Sequence, residues 1–113
     1  TEGQIEGGVA QGLGQAVMEK VVRENGCVTN PHYRDYLLPG AKDVPPEIEC
    51  IFVDNYDRTG PYGAKGVAEV SLIPIPAAMA GAVTDASAIQ PTHLPMESEY
   101  LLRLIELREE EKL

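Results

Sequence analysis

Apolar residues recur every four positions along the first part of the chain, which is the spacing of one face of an α-helix. The members of this series are Ile5, Val9, Leu13, Val17 and Val21. The pattern predicts a helix over residues 4–24. Asn25-Gly26 then supplies a helix stop, because glycine readily adopts the left-handed conformation of a C-terminal cap.

The first half of this predicted helix is rich in glycine, at Gly3, Gly7, Gly8, Gly12 and Gly14. Each glycine costs up to about 1 kcal/mol relative to alanine in an isolated helix. So many of them indicate that the helix backbone packs closely against another element or against a ligand. We favour packing for Gly7, Gly8 and Gly14, and the pattern leaves Gly12 open between the two.

The middle of the chain has the residue types of β-strands. Residues 48–53, Ile-Glu-Cys-Ile-Phe-Val, are rich in β-branched and aromatic side chains and give the strongest strand prediction. Residues 33–38 predict a further strand. An edge strand with alternating faces and the lining of a substrate channel explain the following side chains equally well: Tyr33, Arg34, Asp35 and Tyr36.

Two further helices are predicted in the second half. Residues 77–86 form a run of small side chains, with Pro76 suited to the first helical turn. Residues 97–110 carry an apolar face made of Tyr100, Leu101, Leu104 and Ile105. The predicted fold is therefore α+β: a few strands with a Gly-rich N-terminal helix, a small-residue middle helix and an amphipathic C-terminal helix. These elements form a single domain or domain fragment over residues 1–113.

Length and charge restrict the function classes. The 113 residues suit one domain with a modest core, and the net charge of −9 argues against nucleic-acid binding and anionic membrane surfaces. Cys27 and Cys50 lack the spacing of a metal site, so a reduced protein in the cytoplasm is the simpler expectation, although the sequence leaves a disulfide open. His32 and His93 lie in proline-containing loops without partners at metal-ligand spacing. No metal-ligand set is predicted.

The clearest candidate chemistry is the loop of residues 60–69, Gly-Pro-Tyr-Gly-Ala-Lys-Gly-Val-Ala-Glu. Its glycines allow backbone N–H groups to approach a bulky anion closely. Glu69 stands where the loop gives way to an apolar segment, where desolvation favours a general base. A surface loop with a solvated glutamate fits the spacing as well. Lys65 is equally compatible with holding a phosphate and with simple solvation.

Several segments together resemble one family in the same order along the chain. They are residues 4–14, 33–39, 43–45, 48–53, 60–69, 76–86 and Leu94-Pro95. This ordered set is similar to the C-terminal part of the molybdopterin-binding (large) subunit of the xanthine dehydrogenase and aldehyde oxidase family of molybdenum hydroxylases. The family's large subunit is several times longer, so the resemblance implies a fragment or split subunit, with the fold of the C-terminal portion of a molybdopterin-binding domain.

The resemblance also implies site residues. Glu69 matches the glutamate that acts as general base beside molybdenum, while Lys65 and Gly66 match the motif before it. Gln4 matches a glutamine near the pterin and molybdenum. Ala68 departs from the family pattern, which has glycine there, and its methyl group restricts the loop backbone. The implied cofactor is molybdopterin, in its plain or cytosine dinucleotide form.

The implied activity is water-derived hydroxylation of a small heterocycle or aldehyde. It requires the rest of the molybdopterin-binding domain or subunit, with FAD and iron–sulfur clusters on other subunits or domains. The alternative is a non-catalytic folded fragment or interaction module without cofactor, which is a possible homo-oligomer. Metal analysis and mass measurement distinguish the two. A stand-alone enzyme using Glu69 with small acids is disfavoured, because no nucleophile or second paired acid accompanies that residue.

Overall fold

The computed structural model describes residues 1–111, which form three α-helices, one hairpin and one short 3₁₀ turn. The elements in chain order are α1 (Glu2–Val17), β1 (Arg23–Glu24), β2 (Cys27–Val28), the 3₁₀ turn (Pro61–Gly63), α2 (Ile75–Ser87) and α3 (Ser98–Glu110). The fold is therefore helix-rich with a small two-stranded sheet. The expectation of a few longer strands is wrong.

The first helix ends earlier than the periodicity predicts. The N–H groups of Met18 and Glu19 both donate to the carbonyl of Gly14, at 2.9 and 2.8 Å, which closes the last turn. The expected helix stop at Asn25-Gly26 is wrong. These two residues have φ of 50° and 81° and form the tight turn between β1 and β2. Positive φ at both positions is the requirement of a two-residue hairpin turn, which Asn-Gly favours.

The buried amide of Asn30, just after β2, binds the segment between α1 and β1 and so holds the two ends of the hairpin together. The Asn30 side-chain oxygen accepts the N–H of Val22 at 2.8 Å, and its amide nitrogen donates to the carbonyl of Lys20 at 2.6 Å. Asn30 is the buried polar residue of the described chain. Buried polar groups of this kind are retained when all their hydrogen bonds are made, and here both functional atoms of the amide are used.

The two predicted central strands do not form. Residues 33–35 make a turn in which the N–H groups of Asp35 and Tyr36 donate to the carbonyl of His32. The Tyr36 hydroxyl then donates to the Glu19 carboxylate at 2.6 Å, and this hydrogen bond raises the pKa of Tyr36. Residues 48–53 run without a turn or bend but pair with no strand within residues 1–111, because no backbone partner lies beside them.

The predictions of the two later helices are confirmed. The small-residue helix begins at Ile75 with Pro76 in its first turn and ends at Ser87, where Ala88 caps it with a left-handed φ of 52°. The amphipathic helix begins at Ser98. The N–H of Met96 donates to the carbonyl of Ala16 at 2.7 Å, which ties the approach to α3 to the end of α1.

The chain buries little of its apolar surface. The buried apolar side chains of the described residues are Ala16, Ile89 and Met96. The radius of gyration is 17.9 Å, whereas a compact chain of this length has about 13 Å. Both cysteines are free thiols. Among the described helices, none is both long enough and apolar enough to cross a membrane.

Candidate functional site

The glycine loop of residues 60–69 begins with a tightly closed turn. The N–H of Gly63 donates to the carbonyl of Gly60 at 3.0 Å, and the N–H of Asp57 donates to the carbonyl of Gly63 at 3.2 Å. A Cβ atom on Gly60 would overlap the carbonyl of Ala64, and Gly63 has φ of +79° with the Tyr56 ring against it. Glycine is therefore required at both positions by the geometry of the turn.

The second half of the loop is open. Lys65, Gly66 and Glu69 are all exposed, and a Cβ atom on Gly66 would meet no atom within 4 Å. Within residues 1–111, Lys65 makes no ion pair, and no N–H group from residue 65 to residue 71 donates to a backbone oxygen. This half of the loop thus presents a lysine ammonium group and a run of unpaired N–H groups, which are the groups that bind an anion.

Glu69 lies in the turn of residues 68–74 that leads into α2. Its carbonyl accepts the N–H groups of Leu72 and Ile73 at 3.1 and 3.4 Å. The expectation that the neighbouring apolar segment desolvates Glu69 is wrong for this chain. Val70 and Ile73 are themselves 59% and 72% exposed, so they exclude little water from the carboxylate.

The departure at Ala68 does not force the backbone into an unusual conformation. Ala68 is exposed and begins the turn that contains Glu69. The non-glycine residues with positive φ are Asn25, Tyr62 and Ala88. Since Ala68 is not among them, alanine adopts this turn without left-handed strain.

The glycine face of α1 lies against the segment that follows Glu69. A Cβ atom on Gly8 would overlap the Ser71 hydroxyl, and one on Gly12 would lie 2.6 Å from the Cβ of Ile75. The prediction of close packing is confirmed at Gly8, and the open question at Gly12 is decided in favour of packing. A Cβ atom on Gly7 would meet open space, so packing does not explain that glycine.

These two contacts have the same offset in sequence, so α1 and residues 71–75 run in the same direction. We infer that the first turn of α1 extends toward the part of the loop that carries Lys65, Gly66 and Glu69. Gln4 lies in that turn and is exposed. Within residues 1–111, no ion pair or backbone hydrogen bond joins Gln4 to Lys65, Gly66 or Glu69.

Sequence reasoning missed Ser71. Its hydroxyl is buried beneath Gly8 and has no hydrogen-bond partner among the described residues. A buried hydroxyl without a partner is uncommon in native structures. The only sequence signal is its position two residues after Glu69, facing a helix whose glycines leave room for it.

The loop histidines do not join this site through any described contact. His93 lies edge-on to Tyr100, with ring centroids 5.7 Å apart. Hydrogen bonds from the Thr92 hydroxyl and backbone N–H lower the pKa of Tyr100. His93 and Ile73 also line an apolar hollow of about 370 Å³ beside the start of α2. Within residues 1–111, no three His, Cys, Asp or Glu side chains converge in metal-binding geometry.

Comparisons with known proteins bear on what these residues do. A family model described as a molybdopterin cofactor-binding domain matches residues 1–45. The chain is 34% identical over 88% of its length to the xanthine dehydrogenase molybdenum-binding subunit of Escherichia coli O157:H7, and 36% identical over 89% of its length to the 6-hydroxypseudooxynicotine dehydrogenase complex subunit gamma of Paenarthrobacter nicotinovorans. It is homologous to the molybdenum-binding subunits of the xanthine dehydrogenase and aldehyde oxidoreductase family.

The backbone of this chain is also similar to that of a solved structure. The chain superimposes on quinoline 2-oxidoreductase from Pseudomonas putida 86 with a TM-score of 0.85 and 36% identity, over 93% of its own length. It spans 14% of that chain, and 13% of each of the two relatives named above. The homology therefore covers nearly all of this chain but a small part of each relative.

Proposed function

We propose that this chain forms one wall of the molybdenum cofactor site of a multi-subunit hydroxylase and acts only together with the rest of the large subunit. The observation that supports this most directly is that Lys65, Gly66 and Glu69 are exposed in a stretch whose N–H groups, from residue 65 to residue 71, donate to no backbone oxygen within residues 1–111. Gln4 is exposed in the first turn of α1, which we infer to extend toward this stretch. The homology to molybdenum-binding subunits suggests the molybdenum cofactor as the ligand of these residues.

The exposed groups fit an anionic pterin cofactor. The Lys65 ammonium group provides a positive charge, and the open space at Gly66 lets the backbone approach a phosphate without obstruction from a Cβ atom. The unpaired N–H groups of residues 65–68 add directed donors, and the Gln4 amide can both donate and accept a hydrogen bond. These residues would hold the cofactor from one side only.

Glu69 is proposed as the general base. When bound, the molybdenum cofactor supplies the two-electron redox chemistry, and iron–sulfur and flavin centres on other subunits carry the electrons away. The share of this chain is proton transfer: a Glu69 carboxylate oxygen accepts the proton of the water whose oxygen enters the substrate. Such a base contributes about 10²–10⁴-fold in rate. Small heterocycles and aldehydes are the proposed substrates, in line with the names of the relatives.

The base is tested by Glu69→Gln in the assembled enzyme, which keeps the size of the side chain but removes its proton affinity. We expect hydroxylation of purines, nicotinate or aldehydes to fall about 10²–10⁴-fold with the molybdenum content unchanged. The matched control is Glu106→Gln, on the exposed surface of α3. Undiminished turnover in the Glu69 variant would refute the role.

The cofactor contacts have a separate readout. Gly66→Val places a branched side chain in space that is otherwise open, so we expect it to lower the molybdenum content of the purified enzyme without unfolding α1 or α2. Full retention of molybdenum in this variant and in Lys65→Ala would mean that the loop does not hold the cofactor, and would favour the non-catalytic alternative.

A further inference from the structure

Among the described residues, the segment of residues 44–56 has no hydrogen-bonded neighbour. Within residues 1–111, none of its N–H or C=O groups is bonded to another backbone group. Backbone polar groups of folded proteins are almost all paired or solvated. A long run that combines unpaired backbone with apolar side chains is the signature of a strand whose neighbour is missing.

The side chains of this segment separate into two faces. Ile48 and Cys50 are half-buried against this chain, whereas Ile51 and Val53 are 76% and 83% exposed. Alternate residues of a strand point to opposite faces of a sheet. Phe52, on the face of Ile48 and Cys50, is 55% exposed, and Glu49 lies on the face of Ile51 and Val53. Apolar residues on both faces are typical of a strand covered on both sides, and this chain covers neither face completely.

We propose that residues 48–53 form a β-strand that pairs with a strand from the remainder of the molybdenum-binding subunit, which also covers Ile51 and Val53. This inference rests on the proposed function, since it takes that subunit as the partner. The chain spans 14% of the quinoline 2-oxidoreductase chain on which it superimposes, so the same backbone path occurs within a much longer chain.

Charge argues for this occupant and against a second copy of the chain. Residues 43–57 contain five acidic residues and no basic ones; the acids are Asp43, Glu47, Glu49, Asp54 and Asp57. Pairing two copies of this segment would place like charges opposite one another, which destabilises a sheet. We therefore expect a partner strand that is apolar at its centre and carries Lys or Arg near its ends, opposite these acids.

Amide hydrogen exchange of the assembled, unmodified subunit tests the pairing directly. We expect the alternate amides of residues 48–53 that face the partner strand to exchange at least about tenfold more slowly than those of the loop residues Ala41 and Lys42, because ladder amides are protected. The N–H groups of Ala41 and Lys42 make no backbone hydrogen bond within residues 1–111. Exchange at the rate of that loop would overturn the proposal. This readout does not depend on turnover, so the proposal and the role of Glu69 can fail separately.

Proline variants give a second test. Proline removes the N–H group that a ladder hydrogen bond needs, and the N–H groups of residues 51 and 52 point to opposite edges of the strand. We therefore expect either Ile51→Pro or Phe52→Pro to lower recovery of the assembled subunit about tenfold or more. The variant with the lower recovery identifies the edge of the strand that pairs with the partner. The matched control is Ala41→Pro, at the second position of the turn closed by the 3.0 Å hydrogen bond from Asp43 to Gly40, where proline is favoured. Two variants as harmless as the control would refute the pairing.

The identity of the partner is tested by cross-linking. A photo-reactive residue at position 51 should cross-link, in the assembled enzyme, to an apolar segment of the molybdenum-binding subunit that lies outside residues 1–113. A cross-link to position 51 of another copy, or to a flavin or iron–sulfur subunit, would overturn the choice of partner.

Discussion

The α1–α2 pair and the segment of residues 44–56 lie in the same short chain but differ in where their backbone hydrogen bonds and apolar side chains find partners. In the helix pair, the backbone hydrogen bonds of an α-helix form within each helix, and Gly8 and Gly12 bring the backbone of α1 against Ser71 and Ile75. In the segment, the backbone has no hydrogen-bond partner within residues 1–111, and Ile51 and Val53 are exposed. A helix carries its hydrogen bonds with it, whereas a strand depends on a neighbour.

This difference explains why the helix pair forms its contacts within this chain, whereas the segment of residues 44–56 needs a partner. The helix pair needs only two adjacent stretches of chain to form its contact. The segment needs a second strand, and residues 1–111 supply none beside it. We expect substitutions in the helix pair to act on this chain itself, and substitutions in the segment to act through assembly.

The largest effect is expected from placing the same substitution on two faces of α1. Gly12→Ala would bring a methyl group within 2.6 Å of the Cβ of Ile75, which should destabilise α1 by about 1–3 kcal/mol. Gly7→Ala points into open space and should stabilise the helix by about 0.5–1 kcal/mol. Native-state amide exchange of α1 measures both changes.

The critical result is that Gly12→Ala and Gly7→Ala change the stability of α1 in opposite directions. Alanine is the better helix former at both positions, so helix propensity alone predicts stabilisation twice. If both variants stabilised α1, the close contact with Ile75 would be wrong. If both destabilised it, Gly7 would have a neighbour outside this chain.

An effect of about the same size is expected from removing the buried amide of Asn30 beside the hairpin, with a control in the unpaired segment. Asn30→Ala leaves the N–H of Val22 and the carbonyl of Lys20 without their partner, which should cost about 1–3 kcal/mol. The matched control, Asn55→Ala, removes an exposed side chain in the unpaired segment and should change stability by less than about 0.5 kcal/mol. Amide exchange at Val22 and along the hairpin provides the measurement. Equal losses of stability in the two variants would show that the hydrogen bonds of Asn30 do not stabilise the hairpin.

The sequence predicted the parts of this fold that depend on local periodicity. The bounds of α2 and α3 follow from small-residue and apolar spacing to within about two residues, because a helix is specified by residues close in the chain. The end of α1 was missed, since Val21 continues the fourfold spacing while Asn25-Gly26 favours a hairpin turn.

The site was predicted only in part, for a similar reason. The motif around Lys65, Gly66 and Glu69 is local, so it could be found from the sequence. The buried hydroxyl of Ser71 and the exposure of Glu69 depend on which elements pack around the loop, and no local pattern specifies them. The strand at residues 48–53 was predicted from composition, but composition does not say whether a partner is present.

The smallest effect is expected just after the unpaired segment, where the Asp57 carboxylate binds Thr59. One oxygen of its carboxylate accepts the N–H and the hydroxyl of Thr59, both at 2.8 Å. The backbone N–H, followed by the hydroxyl, lowers the pKa of Asp57 below its usual 3.8. The turn therefore stabilises the charged form, and this contribution is present above pH 3.8 and is lost as the pH falls through the lowered pKa. NMR titration of the Thr59 amide should follow that transition, and Thr59→Val should move it upward by removing the hydroxyl donor while keeping the N–H. A transition at or above the usual aspartate value in the unmodified protein would mean that this turn is not formed, and that the unpaired segment lacks even the local order that would present it to a partner.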